Sequence, residues 1–147
     1  LVDGNTGTFW QSDRNDTSPM PREVVVDLGD TYLVYGIRYT PRQDVPSMGG
    51  TIVQYELYTH DVEVPTNWGT PWAFGAWAAT NAAKVVLGMP VLARYVRLLA
   101  FQEYAGRTFS TIAELTMLVA NTKPIPLATA CVELGFPALQ GLTVVSQ

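Results

Sequence analysis

The chain has 147 residues and a formal charge of −4, and 48% of its residues are hydrophobic whereas only 15% are charged. This composition fits one globular domain with a substantial core and excludes a disordered chain. The nine lysines and arginines form no basic run, which argues against nucleic-acid binding. The single cysteine, Cys131, excludes an internal disulfide. No apolar run approaches the roughly 18 residues of a membrane span, and no segment resembles a signal peptide.

The opening residues form a polar loop that ends in two aromatic residues. Asp3, Asn5 and Thr8 carry the carboxylate, carbonyl and hydroxyl oxygens that a hard cation such as calcium prefers. Gly4 and Gly7 would let the backbone wrap around such an ion. An ordinary Asx turn before a strand explains the same residues, so the local composition leaves both interpretations open.

Short apolar or alternating segments, separated by Gly, Pro and Asn turns, predict β-strands along the chain. The predicted strands are 23–28, 32–39, 51–59, 84–87, 94–101 and 112–119, and residues 1–22 and 63–77 are predicted to be loop and turn. No segment has convincing helical periodicity. The pattern therefore predicts an all-β chain, folded as an antiparallel β-sandwich or jelly roll.

The composition changes at the end of the last predicted strand. Residues 120–126 contain Lys, Asn and two prolines and are typical of a linker, whereas residues 127–147 form an apolar tail. The sequence thus predicts one domain over residues 1–119, followed by the linker and the tail.

Five motifs occur in an order and spacing that are together quite specific. They are residues 3–12 (DGNTGTFWQS), 21–29 (PREVVVDLG), 39–44 (YTPRQD), 94–98 (RYVRL) and 113–115 (AEL). The set resembles the factor V/VIII type C (discoidin-like) domain, and within it most closely the carbohydrate-binding modules of family 32. The resemblance covers about residues 1–119 and implies a galactose-binding-domain-like β-sandwich.

The resemblance also suggests a role for the tail. The family normally has a first strand ahead of its Asp-Gly loop, whereas this chain begins at the loop, and residues 142–147 resemble that strand. Three explanations stay open: a permuted strand order, a strand exchanged between copies, or the start of a following domain. We expect the tail to complete the sandwich, in the same chain or in a second copy, because an open apolar edge promotes aggregation.

A structural calcium ion is the second implication of the resemblance. Asp3 would supply a side-chain oxygen, Asn5 a backbone carbonyl, and Thr8 both its hydroxyl and its carbonyl. Glu114 would add a carboxylate and Ala113 a carbonyl. Two carboxylates nearly neutralise a divalent ion, which would clip the start of the sandwich to its last strand. The alternative for Glu114 is a surface carboxylate on an edge strand.

A sugar site is the third implication. In the family 32 modules an arginine and an aromatic residue contribute to the galactose face. Here Arg42 matches the arginine and Phe109 matches the aromatic residue, with Tyr104 in the same loop. Each also has a plainer explanation, since Arg42 could pair with Asp44 and Phe109 could simply fill the core.

Other positions depart from the galactose-binding pattern. Gln11 stands where the modules have a histidine, Ser47 or Met48 stands at the asparagine position, and Arg14 stands where a second aromatic residue often lies. Gln and Ser can still bond sugar hydroxyls. The sequence therefore predicts a glycan or polysaccharide as ligand and leaves terminal galactose open.

The tryptophans and the ionisable residues add little to this interpretation. Trp68, Trp72 and Trp77 could form a flat glycan platform, although such residues more often fill the core. The lone histidine, His60, has no catalytic partner in the sequence, Cys131 lies in the apolar tail, and Asp27 and Asp30 flank a turn. We therefore expect no enzymatic activity.

The leading hypothesis is a non-catalytic, calcium-stabilised carbohydrate-binding module that acts extracellularly or at the cell surface. Residues 11–16, 42–50 and 103–110 would form its binding face. The alternative is a protein-interaction, adhesion or assembly module on the same scaffold, acting as a homo-oligomer or within a larger multidomain protein. Membrane binding ranks third, because Met48 is the only candidate apolar spike and no basic collar surrounds it.

Overall fold

A computed structural model describes residues 3–44, 48–62 and 65–120 of the chain, and every regular element in these ranges is a β-strand. The strands are β1 (Trp10–Gln11), β2 (Arg22–Thr40), β3 (Ile52–His60), β4 (Ala73–Ala76), β5 (Lys84–Glu103), β6 (Thr111–Ile112) and β7 (Glu114–Val119). They form a five-stranded antiparallel sheet in the order β4-β3-β5-β2-β7 and a two-stranded sheet of β1 and β6. The predicted all-β class is confirmed. Within the described ranges no helix is long and apolar enough to cross a membrane.

The two long strands, β2 and β5, bend where their pairing is interrupted. Residues 28–31 of β2 face only Arg94 of β5, so the pairing contains a large bulge. Gly29 adopts a φ of 80° there, which only glycine tolerates readily. Asp27 holds the opposite strand in place, because its two carboxylate oxygens accept hydrogen bonds from Arg94 at 2.8 and 2.9 Å. A bulge of this kind bends a strand pair and lets it pass from one layer to the next.

The halves of the long strands on either side of the bend belong to two layers. β3 and β4 extend the layer that contains the first half of β2, and β7 extends the layer that contains the second half. The core lies between them, where Ile37 and Leu115 of one layer cluster with Leu57 and Leu98 of the other, all at most 2% exposed. Burial of each of these side chains contributes about 1.5–3 kcal/mol to the stability of the folded state. The predicted sandwich is therefore built by bending one strand pair.

The boundaries predicted from the sequence are wrong for the two long strands. The predicted strands 23–28 and 32–39 are one strand, because the Gly-containing turn between them is the bulge. The predicted strands 84–87 and 94–101 are also one strand, since pairing with β2 continues on both sides of a short irregularity. Turn-forming residues inside a strand can mark a bulge as well as a strand end.

Two short strands and one strand boundary also differ from the prediction. Residues 1–22, predicted as loop, contain β1, and residues 63–77, predicted as turn, contain β4. Both strands are too short to produce a periodic pattern. The predicted strand 112–119 is interrupted at Ala113, whose N–H donates to the Thr40 carbonyl at 2.9 Å between β6 and β7.

Among the described residues, β7 pairs with β2 alone, and an open groove of about 520 Å³ lies beside this pair. Apolar side chains such as Val26, Leu28 and Met117 dominate its lining. Apart from Ala120, the predicted linker and tail lie outside the described residues, so the completion of the sandwich by the tail stays a prediction. The polar lining of the groove includes Asp27 and Glu114, which are already hydrogen-bonded to Arg94 and to the Asn5 N–H.

The ion pair at the bend makes stability depend on pH in a defined window. Arg94 and the Gly29 N–H together lower the pKa of Asp27 to about 2. A depressed pKa in the folded state adds stability above about pH 4, and this contribution is lost as the pH falls towards 2. We expect Asp27→Asn to lower the urea midpoint of unfolding at pH 7 and to have little effect near pH 2. A difference between variant and parent that stayed constant over this range would contradict the assignment.

Candidate functional site

Three chain segments meet at one end of the sandwich, and we term this region the loop end. They are residues 3–15, the described part of 41–51, and residues 104–110. The short pair of β1 and β6 joins the first segment to the third. Ser12 and Ser110 reinforce this junction, because the N–H of each donates to an oxygen of the other at 3.0 Å.

A buried carboxylate organises two of these segments. Glu103, the last residue of β5, is fully buried. Its Oε1 accepts a hydrogen bond from the Gly50 N–H at 3.0 Å, and its Oε2 accepts from the N–H groups of Ala105 at 2.8 Å and Arg107 at 3.0 Å. A buried carboxylate is costly unless it is hydrogen-bonded in this way. The two loops are therefore positioned by one side chain that belongs to the rigid sheet.

Tyr39 adds a second connection between the layers. Its hydroxyl donates to the Thr111 carbonyl at 3.0 Å and accepts from the Ile52 N–H at 3.1 Å. Burial raises the pKa of the Tyr39 phenol, so the hydroxyl remains a donor. Trp77 stacks on the Tyr39 ring at 4.9 Å and thereby fixes its orientation.

The opening loop contacts the start of β7 through a backbone N–H group. The Asn5 N–H lies between two carboxylates and donates to Asp3 Oδ1 at 2.9 Å and to Glu114 Oε1 at 3.1 Å. The Thr8 hydroxyl lies 2.8 Å from Asp3 Oδ2 and 2.9 Å from the Asn5 carbonyl oxygen. The structure thus brings Asp3, Asn5, Thr8 and Glu114 together, with the buried Ala113 directly before Glu114.

The electrostatics of this cluster suit a cation. The Asn5 N–H, followed by the neighbouring side chains of Glu114 and Thr8, lowers the pKa of Asp3 to about 2. A divalent ion bound beside Asp3 and Glu114 would be attracted to both carboxylates. No group of three or more His, Cys, Asp or Glu side chains suited to a metal occurs in residues 3–44, 48–62 and 65–120. A metal ion at this cluster would need carbonyl and hydroxyl oxygens of the loop in addition to the two carboxylates, and calcium is the ion that prefers such an all-oxygen set.

Part of the predicted sugar site surrounds Phe109. This ring is only 6% exposed. The guanidinium groups of Arg14 and Arg107 lie 5.2 and 5.9 Å from its centre. Arg107 also lies 5.7 Å from the ring centre of Tyr104. Phe109 is therefore largely buried and does not present the expected open aromatic face, and two guanidinium groups lie within cation–π distance of its ring.

Arg42, another of the predicted sugar residues, lies near a different ring. Arg42 lies 3.9 Å from the ring centre of Phe9 and forms a two-point ion pair with Asp44, in which Nη2 and Oδ2 are 2.7 Å apart. Hydrogen bonding to Asp44 raises the pKa of Arg42, which stays charged. Gln11 is half-buried in β1, and Ser47 lies outside the described residues. The plainer prediction for Arg42, pairing with Asp44, thus describes its contact here.

Four residues that shape this region are not among the site residues predicted from the sequence. Arg107 and Phe9 complete the two arginine–aromatic groups, and Glu103 and Tyr39 position the loops. A carboxylate that ends the apolar run 98–101 could have indicated the role of Glu103. The others gave no signal, because their roles depend on partners far away in the sequence.

The remaining aromatic and ionisable candidates lie in separate places. Trp77 stacks on Tyr55 at 3.8 Å and Trp72 packs against the core, whereas Trp68 lies edge-on to Tyr58 at 6.5 Å. The three tryptophans do not form a flat platform.

His60 lies 3.9 Å from the carboxylate of Asp61, and Asp27 is engaged by Arg94 at the bend. The Asp27 Oδ1 also accepts the Gly29 N–H at 2.8 Å, as an Asx turn requires. Cys131 lies outside the described residues.

A comparison with known families identifies the domain. The sequence model of the F5/8 type C domain matches residues 1–115. The chain belongs to the F5/8 type C domain family. This match confirms the resemblance inferred from the five motifs.

Two curated proteins contain a region similar to this F5/8 type C domain. A sialidase of Micromonospora viridifaciens is 34% identical over 117 residues, which cover 78% of the chain. A galactose oxidase of Gibberella zeae is 35% identical over 127 residues, which cover 85% of the chain. The chain spans 18% of the length of each relative.

Solved structures of family 32 carbohydrate-binding modules share the fold. One is a module of Clostridium perfringens NanJ in complex with galactose, with a TM-score of 0.65, 31% identity, and coverage of 78% of this chain and 79% of that chain. A second Clostridium perfringens module, in complex with GalNAc-β-1,3-galactose, has a TM-score of 0.68, 27% identity, and coverage of 79% and 78%. The predicted galactose-binding-like β-sandwich is confirmed.

The buried carboxylate that positions the loops provides a direct test. We expect Glu103→Ala to destabilise the domain by about 2–4 kcal/mol, because it leaves buried N–H groups without an acceptor. Glu103→Gln keeps one acceptor oxygen and should lose less. Chemical unfolding measures both, with Gln102→Ala as a control at an exposed position of the same strand. A Glu103→Ala variant as stable as this control would contradict the assigned role.

Proposed function

We propose that this F5/8 type C domain is a non-catalytic carbohydrate-binding module that binds glycans at the loop end and is stabilised by calcium. The observation that carries the proposal is the set of arginine and aromatic side chains at the loop end. The backbone of these loops is positioned by hydrogen bonds to Glu103. The two family 32 modules with similar folds, in complex with galactose and with GalNAc-β-1,3-galactose, support the same class of ligand.

The side chains at the loop end match what saccharide recognition requires. Sugar hydroxyls pair with planar polar groups, and the apolar face of a pyranose packs on an aromatic ring. Arg42 and Gln11 supply planar polar groups, and Phe9 and Tyr104 are both partly exposed. Arg42 is also preorganised, since the Phe9 ring and Asp44 hold its guanidinium in one orientation.

Glycan binding is tested by a glycan-array screen of the purified chain, repeated with Arg42→Ala. We expect binding to a defined saccharide class and a loss of about ten-fold or more in the variant, because a charge-assisted hydrogen bond is removed. Arg38→Ala is the matched control, since Arg38 is exposed on β2 and lies outside the loop end. Thermal unfolding should show all three proteins folded. A folded parent that binds no glycan would overturn the proposal.

The proposed calcium ion would be held by Asp3, Asn5, Thr8 and Glu114, together with the Ala113 carbonyl. The ion would have a structural role, because it would neutralise the charges of the two carboxylates. The proximity of the two carboxylates, which both accept a hydrogen bond from the Asn5 N–H, supports this assignment. The exposed position of the loop fits the weaker affinity range of extracellular calcium sites, and an extracellular location is part of the proposal.

Calcium binding predicts a stability change that a chelator reverses. At a calcium concentration 100 times the dissociation constant, the ion should add about 2.7 kcal/mol to the free energy of unfolding. Asp3→Asn or Glu114→Gln should remove most of this gain, whereas Asp13→Asn, in the same exposed segment, should keep it. Thermal unfolding with calcium and with EDTA measures the effect. If Glu114→Gln lowered stability equally in both conditions, the calcium proposal would fail.

Protein association is the second candidate function, and exposed apolar side chains favour it. Phe74 is 75% exposed, Leu87 68% and Met89 83%. Large exposed apolar residues can mark interaction surfaces. Sedimentation of the purified chain distinguishes the candidates, because an assembly module should self-associate at micromolar concentration whereas an isolated glycan-binding module should remain monomeric.

A further inference from the structure

The positive charges of this acidic protein are not distributed evenly. Four described arginines, Arg22, Arg42, Arg94 and Arg97, each form an ion pair with an Asp or Glu side chain. In the described part of the chain, Arg14, Arg38 and Arg107 form none. Two of these three, Arg14 and Arg107, lie at the loop end and share one aromatic ring.

Contacts with the sandwich hold both of these guanidinium groups in place. Arg14 and Arg107 lie 5.2 and 5.9 Å from the centre of Phe109, so their central carbons are at most about 11 Å apart. Arg107 also packs against the buried Gly49, where a Cβ atom would lie only 2.7 Å from Nη1. Two exposed arginines thus lie near the same aromatic ring.

Glu103 bonds the backbone N–H of Arg107 but not its guanidinium, and the exposed carboxylates nearby have other partners. Asp16 pairs with Arg22 at 3.1 Å, and Asp44 pairs with Arg42. Asp13 accepts the Asn15 N–H at 2.8 Å in a local turn. None of the three forms an ion pair with Arg14 or Arg107 within the described ranges.

This surface favours a ligand that accepts hydrogen bonds and carries negative charge. Each guanidinium offers five N–H donors and no acceptor, whereas a neutral sugar hydroxyl both donates and accepts. The Phe109 ring itself is only 6% exposed and therefore offers little surface on which a neutral pyranose could stack. A carboxylate or a sulfate ester matches the donors without any rearrangement.

We infer that the ligand of the loop end is an acidic saccharide, whose carboxylate or sulfate groups bind Arg14 and Arg107. This inference rests on the proposed glycan binding and specifies the class of glycan. Because the rest of the chain is acidic, with a formal charge of −4, the local pair of cations would also select the end of the domain that meets the ligand.

The test uses pairs of polysaccharides that differ only in charge. The folded chain is titrated calorimetrically with oligogalacturonate and with its full methyl ester, and with a sulfated galactan and its desulfated form. We expect the acidic member of at least one pair to bind at least ten-fold more tightly and to weaken as salt is raised. The pair that responds identifies carboxylate or sulfate as the recognised group.

Arginine variants connect this preference to the site. Arg14→Gln combined with Arg107→Gln should weaken acidic binding by about ten-fold or more, to the level of the neutral partner. Arg38→Gln removes one positive charge from β2, outside the loop end, and should bind like the parent. Replacing both arginines by lysine keeps the charge but loses the planar donors, and should restore binding only in part.

The outcomes separate this inference from the proposed function. Equal binding of acidic and neutral partners would overturn the inference and leave glycan binding intact. An acidic preference that survives in the folded double Gln variant would also overturn it, because the preference would then originate elsewhere. No binding to any of the four polysaccharides or to the array would overturn both proposals.

Discussion

The structure of the loop end depends on one buried carboxylate. Glu103 is fully buried and bonds three backbone N–H groups that belong to two different loops. A carboxylate without these partners would be strongly destabilised in such a place, and the loops without the carboxylate would have unsatisfied donors. Each therefore requires the other. Because Glu103 is the last residue of a core strand, its hydrogen bonds connect the rigid sheet to the loops for which we propose ligand binding.

The bend in the long strands explains why distant parts of the sequence meet. β2 and β5 pair along nearly their whole length and are interrupted at residues 28–31, where Asp27 and Arg94 connect the two strands. Bending there places the end of β2, near Thr40, at the same end of the sandwich as Glu103 of β5. Tyr39 then bridges the layers. The opening loop reaches the start of β7 through Glu114, so the proposed calcium ion would connect the first described residues with the last strand.

In this domain the buried residues and the exposed side chains of the loops have different roles. Glu103, Tyr39 and the core fix the backbone, whereas Arg14, Arg42 and Arg107 project from the loops onto aromatic rings. Binding surfaces on loops can change without loss of the scaffold. The family match and the galactose-bound neighbours concern the scaffold. Arg14 and Arg107, which lie near Phe109, lead to a more specific proposal about the ligand.

The sequence by itself determined the strand-forming segments, the family and the residues of the opening loop, because these depend on local periodicity and on short motifs. It could not show that predicted strands 23–28 and 32–39 are one bent strand, since a glycine turn and a glycine bulge have the same local composition. Only the tertiary structure decided that Phe109 is covered and that Arg42 pairs with Asp44 against Phe9. Burial and charge pairing join residues from separate segments, and they are defined only once the two layers have packed together.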